Sequence, residues 1–230
     1  MKSQIKLQNI SKKYNEYKVL NNIELDFKKG EFVAILGESG CGKSTLLNII
    51  SGIDRPSGGK ILFNDLELNK LSEKELTKWR GKNIGIVFQF FQLIPTLSII
   101  ENVILPMEFN NIYDKKTRKS KATELLKKVN IIDCKDKLPQ SISGGEQQRT
   151  AIARALATDP DYIIADEPTG NLDSKNAKII IELFSKLVKE GKTIIMVTHS
   201  EDLAKSADRI IRMKDGKIIE DVAWMLDLQK

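Results

Sequence analysis

The 230-residue sequence holds one histidine, two cysteines and six prolines. Each shortage removes a class of function. The cysteines, Cys41 and Cys134, have no metal-ligand spacing, and Cys41 lies in a glycine-rich loop that a disulfide would distort, so a reducing cytoplasm is the expected compartment. A membrane span is excluded on length: the longest apolar stretch, Phe90 to Met107, is broken by Pro95, Pro106, Glu101 and amide side chains. No repeat, low-complexity tract or Gly/Ser linker divides the chain, which reads as one compact unit. The opening MKSQIKLQNI alternates polar and apolar residues, so it is expected to be a strand of the fold and not a secretory leader.

What is present is a balanced core-forming composition, 41% hydrophobic and 30% charged, with a net charge of +6. That charge suits a polyanion, an acidic membrane face or a nucleotide and selects none of them. Residues 3–10 and 17–27 read as strands, the second ending in the turn KKGE, and EFVAIL (31–36) as a buried strand. KSTLLNIIS has helical spacing and stops at Gly52, a C-cap glycine. From about 93 to 157 the pattern is mostly helical, with Leu125, Leu126 and Val129 on one face of a lysine-rich helix. DYIIAD, TIIMVTH and RIIRM follow as short apolar runs separated by helical stretches. Strands alternating with helices predict an α/β fold, a mainly parallel sheet with helices on both faces. KDG between RIIRM and KIIED predicts a hairpin.

Gly37-Glu38-Ser39-Gly40-Cys41-Gly42-Lys43-Ser44, followed by Thr45, sits between an apolar strand and a helix and has the spacing of a phosphate-binding loop. Backbone N–H groups of residues 38–45 would wrap phosphates at the helix N-terminus, with Lys43 at the β and γ phosphates and the Ser44 hydroxyl on Mg²⁺. The competing reading is a glycine-rich turn that binds nothing. Tyr162-Ile-Ile-Ala-Asp166-Glu167 is an apolar strand ending in two carboxylates. Asp166 would orient the Mg²⁺ shell and Glu167 polarise a water for attack on the γ-phosphate, unless the pair merely caps a turn. His199, after TIIMVT, would reach the γ-phosphate or the water at the same sheet edge, or would be a structural histidine.

A second stretch, SISGGEQQR (141–149), has capping-box spacing from Ser143 to Glu146, a purely local use. The box leaves unexplained why Gly144 and Gly145 fill the first helical turn, where each costs up to about 1 kcal/mol relative to alanine.

Phosphate loop, SISGGEQQR, DYIIADEP and a histidine after the last core strand, in this order and spacing, resemble the nucleotide-binding subunit of an ATP-binding cassette (ABC) transporter over nearly the whole chain. IGIVFQFFQLIPTLSIIENVILP and ADEPTGNLD resemble the LolD and MacB group, ATPases for lipoprotein release, macrolide export and antimicrobial-peptide export. The resemblance implies a P-loop NTPase (RecA-like) core, an N-terminal antiparallel β-subdomain and an inserted helical subdomain at about 93–157, together one nucleotide-binding domain over 1–230. It implies Tyr14 stacking on adenine, Gln89 contacting Mg²⁺ and water, and Asp173 as the acid of the loop after DEP. Ser143, Gly144, Gly145 and Glu146 would meet an ATP held by another copy, so a homodimer with ATP at its interface is expected. Ile142 and Glu146 depart from the usual LSGGQ; the first keeps an apolar anchor and the second resembles a variant of the LolD group.

A separate transmembrane permease is the implied partner, with the protein on the cytoplasmic side of the membrane and no nucleic acid expected. FFQLIPTL would dock that permease or belong to a hydrophobic core; Phe91 and Leu97 are the candidate contacts. The basic helix 115–128 reads as a solvated face or a contact for anionic headgroups. Export or extraction is the direction implied; the alternative is a regulatory ATPase of the cell-division type bound to a membrane partner. Relatives acting on DNA carry long coiled coils between the two glycine motifs, and here about a hundred residues separate them with no heptad run. Cys41 is expected to lie against the phosphates, which makes ATPase activity sensitive to alkylation.

Overall fold

The computed structural model describes residues 4–223. The chain runs β1 (Gln4–Tyr14), β2 (Tyr17–Lys28), β3 (Phe32–Gly37), α1 (Lys43–Ile50), β4 (Gly58–Phe63), β5 (Leu66–Glu67), α2 (Glu73–Asn83) and β6 (Ile84–Val87). It continues α3 (Ile99–Phe109), α4 (Lys115–Lys128), α5 (Gly144–Ala155), β7 (Tyr162–Asp166), α6 (Ser174–Lys189), β8 (Thr193–Thr198), α7 (Glu201–Ala204), β9 (Arg209–Lys214) and β10 (Lys217–Ala223). Two sheets result. The first is antiparallel, in the order β2-β1-β4-β5; the second runs β10-β9-β3-β8-β7-β6, parallel from β9 to β6 with β10 antiparallel at its edge.

The parallel strands have no polar face because both sides are covered. Along β3, Phe32, Ala34 and Leu36 enter one core with residues of α3 to α6, while Val33 and Ile35 enter the other with α1, α2 and the antiparallel sheet. Tyr162, at the start of β7, meets Phe63 of β4 edge-on at 5.9 Å, and Phe63 meets Trp79 of α2 at 5.3 Å. Each such pair contributes about 0.5–1.5 kcal/mol beyond its buried area and ties the two sheets together.

The α1 helix ends as its sequence predicts. Gly52 lies at φ +70°, Ile53 N–H donates to Asn48 O at 2.8 Å and Gly52 N–H to Ile49 O at 3.1 Å, the two bonds of a Schellman motif. The β9–β10 hairpin turns through Asp215 and Gly216, both with positive φ, as KDG predicts. Other expectations shift. β1 continues past residue 10 to Tyr14, with register shifts after Leu7 that let it bend between two partner strands. Residues 93–98 are not helical: the chain stays irregular until Ser98 caps α3, and the buried Asn102 side chain bonds Ile94 N–H and the carbonyls of Ile94, Leu97 and Ser98. Between α4 and α5 only two short 3₁₀ turns interrupt the loop.

Helix starts differ in one respect that bears on function. Ser72, Ser98 and Ser143 close full capping boxes on α2, α3 and α5, Asp114 and Asp173 cap α4 and α6, and Ser200 caps α7. Among the described residues, α1 alone begins without a side-chain cap: its N-cap is Gly42, at φ +103°.

Candidate functional site

The C-terminal ends of β3, β7 and β8 lie side by side, with Leu36 paired to Thr198 and Asp166 to Val197. Open α/β sheets bind ligands at this edge, and the expected residues of the phosphate loop and its acids gather there. At Gly42 the left-handed backbone turns the loop into α1, a conformation that favours glycine. Lys43 is buried at 5% exposure, its Nζ donating to Gly37 O at 2.7 Å and Glu38 O at 2.8 Å. The ammonium is therefore parked on the loop's own carbonyls, and incoming phosphate oxygens would replace them as partners.

Ser44 Oγ donates to Asp166 Oδ1 at 3.1 Å. Burial pushes the Asp166 carboxyl above the usual carboxylate range and the neighbouring Glu167 adds to this, against the Ser44 hydrogen bond and Lys43. A divalent cation there would offset the desolvation. Ser44 and Asp166 are hard oxygen donors of the kind Mg²⁺ prefers, and no cluster of three or more His, Cys, Asp or Glu exists among the described residues, so phosphate oxygens and water would complete its shell. The residues fit the ion on these grounds.

Glu167 carries non-glycine backbone at φ +44°, held by its N–H on Val197 O at 3.1 Å. Strain of order 1–3 kcal/mol at such a position marks a side chain whose direction matters. Its Oε2 accepts from His199 Nδ1 at 3.1 Å. A Cβ placed on Gly170 would lie 3.2 Å from Gln89 Nε2 and 3.4 Å from Glu167 Oε2, so Gln89, Glu167 and His199 converge on one small volume.

Val19, Ser39, Gly40, Gly42, Lys43, Ser44, Thr45 and Glu167 line a cleft of about 240 Å³. Glu167 also lines an adjoining cleft with Thr169, Gly170, His199 and Ser200, so the phosphate cleft opens past that carboxylate. Tyr14 stands at its rim, 46% exposed, with its hydroxyl donating to Asp54 Oδ2 at 2.6 Å and also within reach of Thr45, and with Lys12 Nζ 4.8 Å from its ring centre. The Asp54 hydrogen bond is the largest cause of a raised Tyr14 pKa.

No residue of 143–146 lines that cleft. The capping box is complete: Ser143 N–H donates to Glu146 Oε2 at 2.8 Å, Ser143 Oγ to the same oxygen at 2.7 Å, and Glu146 N–H to Ser143 Oγ at 3.3 Å. These bonds, the Ser143 side chain first, hold the Glu146 carboxyl below its usual range. The two glycines behind the serine then part company. A Cβ on Gly145 would meet Asn176 Oδ1 at 2.3 Å, and Asn176 is itself fixed by Asp173, whose Oδ1 and Oδ2 accept its N–H at 2.9 Å and Nδ2 at 2.7 Å. A Cβ on Gly144 would meet only Phe91 at 3.6 Å and Leu172 at 3.8 Å, ordinary contacts. Gly145 is required by this chain's own packing; nothing among the described residues requires Gly144.

Cys41 is buried at 8% exposure, its Sγ 2.6 Å from where a Cβ on Gly37 would stand and its carbonyl accepting from Gly216 N–H at 3.1 Å, and it is not among the residues lining the cleft. Phe91 and Leu97 are half-buried, Phe91 against Gly144, whereas Phe90 is 66% exposed. Gln148 is a residue that sequence reasoning missed. It is fully buried, and its Nε2 donates to Pro168 O at 2.7 Å and Phe88 O at 3.4 Å, joining α5 to the segments that carry Glu167 and Gln89. The signal was a polar residue on the apolar face that Ala151, Ile152 and Ala155 define.

Comparisons with known proteins identify the family and the fold. The family model described as "ABC transporter" matches residues 20–170. A lipoprotein-releasing system ATP-binding protein, LolD 1 of Rhodopseudomonas palustris, is 46% identical over 220 residues, 93% of this chain and 97% of its own. An uncharacterized ABC transporter ATP-binding protein of Bacillus subtilis, YvrO, is 47% identical over 219 residues, 94% of this chain and 95% of its own. The solved dimer of the ABC transporter cassette MJ0796 superposes with a TM-score of 0.89 at 44% identity, covering 96% of this chain and 98% of that one. A second MJ0796 dimer, in a post-hydrolysis state bound to ADP and Pi, gives 0.88 at 43% identity over the same shares.

Proposed function

The chain belongs to the ABC transporter family as an ATP-binding, ATP-hydrolysing subunit, and from that premise we propose that ATP closes two copies of it head to tail. Each nucleotide would lie between the phosphate loop of one copy and Ser143 and Gly144 of the other. The observation that carries this is a helix start that lies outside the phosphate cleft and whose outer glycine meets only ordinary contacts among the described residues. Both MJ0796 structures are dimers, one with ADP and Pi. The domain is read as a single nucleotide-binding unit over 1–230, with its helical part at about 93–157.

Within each site Lys43 would exchange its two carbonyl partners for β and γ phosphate oxygens, and the open N–H groups at the start of α1 would receive the remaining charge. Ser44 and Asp166, with Gln89 beside them, would hold Mg²⁺, which supplies charge neutralisation at the γ-phosphate. Glu167 accepts the proton of the attacking water as the water oxygen bonds to γ-phosphorus and the bond to the ADP oxygen breaks. His199, bonded to the same carboxylate, orients it. Gln89 positions the water from across Gly170, and Tyr14 supports the adenine ring at the rim. After cleavage the bridge between the copies is gone and repulsion between products favours opening.

The partner moved by this cycle would be a separate permease at the cytoplasmic face of the membrane; no helix of the described residues is long and apolar enough to span one. Its docking surface is read as the segment expected from the sequence, 90–97, together with the adjoining cleft between α2, β6, α3 and α5 lined by Ile86, Pro106, Phe109 and Arg154, whose guanidinium donates to the carbonyls of Phe91 and Gln92. The identity to LolD 1, a lipoprotein-releasing system ATP-binding protein, supports export or extraction of a lipoprotein, with peptide and drug the other cargoes that the sequence resemblance implies. Glu167→Gln tests the reading: turnover should fall by about 10²–10⁴-fold while ATP binding persists and an ATP-bound dimer accumulates on gel filtration. Wild-type turnover in that variant would remove Glu167 from the role of base.

A further inference from the structure

The net charge of the chain is concentrated on one helix. Of 37 basic and 31 acidic residues in the sequence, α4 holds seven basic and one acidic, which leaves 30 of each elsewhere. The +6 of the whole protein is the +6 of these 14 residues. Three of the α4 cations have acidic partners: Arg118 with Glu108, Lys121 with Glu124 and Lys128 with Glu190. Among the described residues no ion pair is found for Lys115, Lys116, Lys119 or Lys127, all exposed. The inner face, with Ala122 and Leu126, is committed to the core.

The placement works against the helix that bears it. α2, α3 and α5 carry acidic residues in their first turns, where the positive end of the macrodipole favours them; α4 and α6 have none there beyond an aspartate N-cap, and α4 starts with two lysines, Lys115 and Lys116. A sequence that violates a local preference repeatedly at one exposed spot marks a surface used for something. Immediately before these lysines stand two exposed aromatics, Phe109 at 78% and Tyr113 at 44%. Phe109 also lines the cleft read above as the permease dock, so the basic end of α4 adjoins that cleft.

We propose that the start of α4, Lys115, Lys116 and Lys119 with Phe109 and Tyr113, rests on an anionic phospholipid surface. The chemistry is that of interfacial basic segments: ammonium groups over acidic headgroups and aromatic rings at the headgroup level. Continuity with the permease dock, which rests on the reading in the preceding subsection, sets this surface against the bilayer when the permease is engaged. The platform would align the cassette and hold it near the membrane between permease encounters.

Flotation of the purified full chain with vesicles free of any membrane protein tests this separately from permease docking. The wild type should bind vesicles containing about a third phosphatidylglycerol, bind phosphatidylcholine vesicles far less, and be released at about 1 M salt, where the screening length is about 3 Å. Lys115→Gln, Lys116→Gln and Lys119→Gln together should weaken vesicle binding roughly a hundredfold, with melting temperature and basal ATPase unchanged. Phe109→Ser with Tyr113→Ser should weaken it further without altering its salt dependence. Equal binding by the wild type and the triple variant, or equal binding to neutral vesicles, overturns the proposal. So does tighter binding of the wild type to a DNA duplex than to anionic vesicles at the same salt. Co-sedimentation with permease in phosphatidylcholine vesicles reads the docking reading alone, so loss of one result leaves the other standing.

Discussion

Two helix starts, α1 and α5, carry glycines, in the loop before α1 and in the first turn of α5, and they are built oppositely. At α1 the N-cap is a left-handed glycine with no side-chain bond, no acidic residue in the first turn and a buried lysine folded back over the loop. At α5 the serine and Glu146 satisfy the first N–H groups and place a carboxylate where the macrodipole is positive. An anion needs open donors, so α1 is the phosphate cradle. At the α5 start Glu146 already engages the Ser143 hydroxyl and N–H, and what stays open to a ligand without an exchange of partners is the bare backbone at Gly144. On the proposed reading one helix end holds the nucleotide, and the other completes a site held by another copy.

Substitutions on each side sharpen the contrast. The largest effect is expected at Gly145→Ala, whose methyl would meet the fixed Asn176 side chain at 2.3 Å; overpacking of this kind costs about 1–3 kcal/mol and should lower the melting temperature along with ATPase activity. Gly144→Ala should do the reverse to stability. With ordinary contacts only, alanine should gain up to about 1 kcal/mol of helix propensity and raise the melting temperature, while ATP-dependent dimer formation weakens. Parallel changes in the two variants would erase the distinction between the glycines. The smallest effect is on the α1 side. Because burial raises the Asp166 pKa in the fold, the ionised carboxylate opposes folding of the nucleotide-free protein. The stability tied to its protonated form is complete at acid pH and lost as pH rises through the raised pKa. Asp166→Asn should therefore melt higher than the wild type at neutral pH, the gap closing below pH about 4, although its turnover falls. A lower melting temperature at neutral pH would show that Ser44 and Lys43 already compensate the charge.

Much of this was readable before any coordinates. Strand-loop-helix at Gly37–Ser51, the carboxylates ending β7, His199 after β8 and the Asp215-Gly216 turn each have local causes, and local causes are visible in sequence. The stretch from 53 to 92 was not assigned: β4 is only half apolar, because in GGKILF the glycines and lysine are exposed, and β5 has two residues. α2 could have been found, since Ser72 and Glu75 make the same capping box recognised at Ser143 and Glu146. Cys41 could not: which way a thiol turns inside a loop depends on β9, some 170 residues later. The unequal glycines were hidden for the same reason, since Asn176 lies on a different helix.

The central claim is that α1 and α5 serve one ATP from different copies. Its most direct test mixes two defective chains, both carrying Glu167→Gln to stop turnover: Lys43→Ala, which removes the phosphate contact of α1, and Gly144→Asp, which blocks α5. Each alone should retain no nucleotide through gel filtration. In a mixed dimer one site combines the intact α1 of the second chain with the intact α5 of the first, so the mixture should trap one ATP per mixed dimer. A mixture that traps no more than its two components do separately would contradict the account and return α1 and α5 to a single chain.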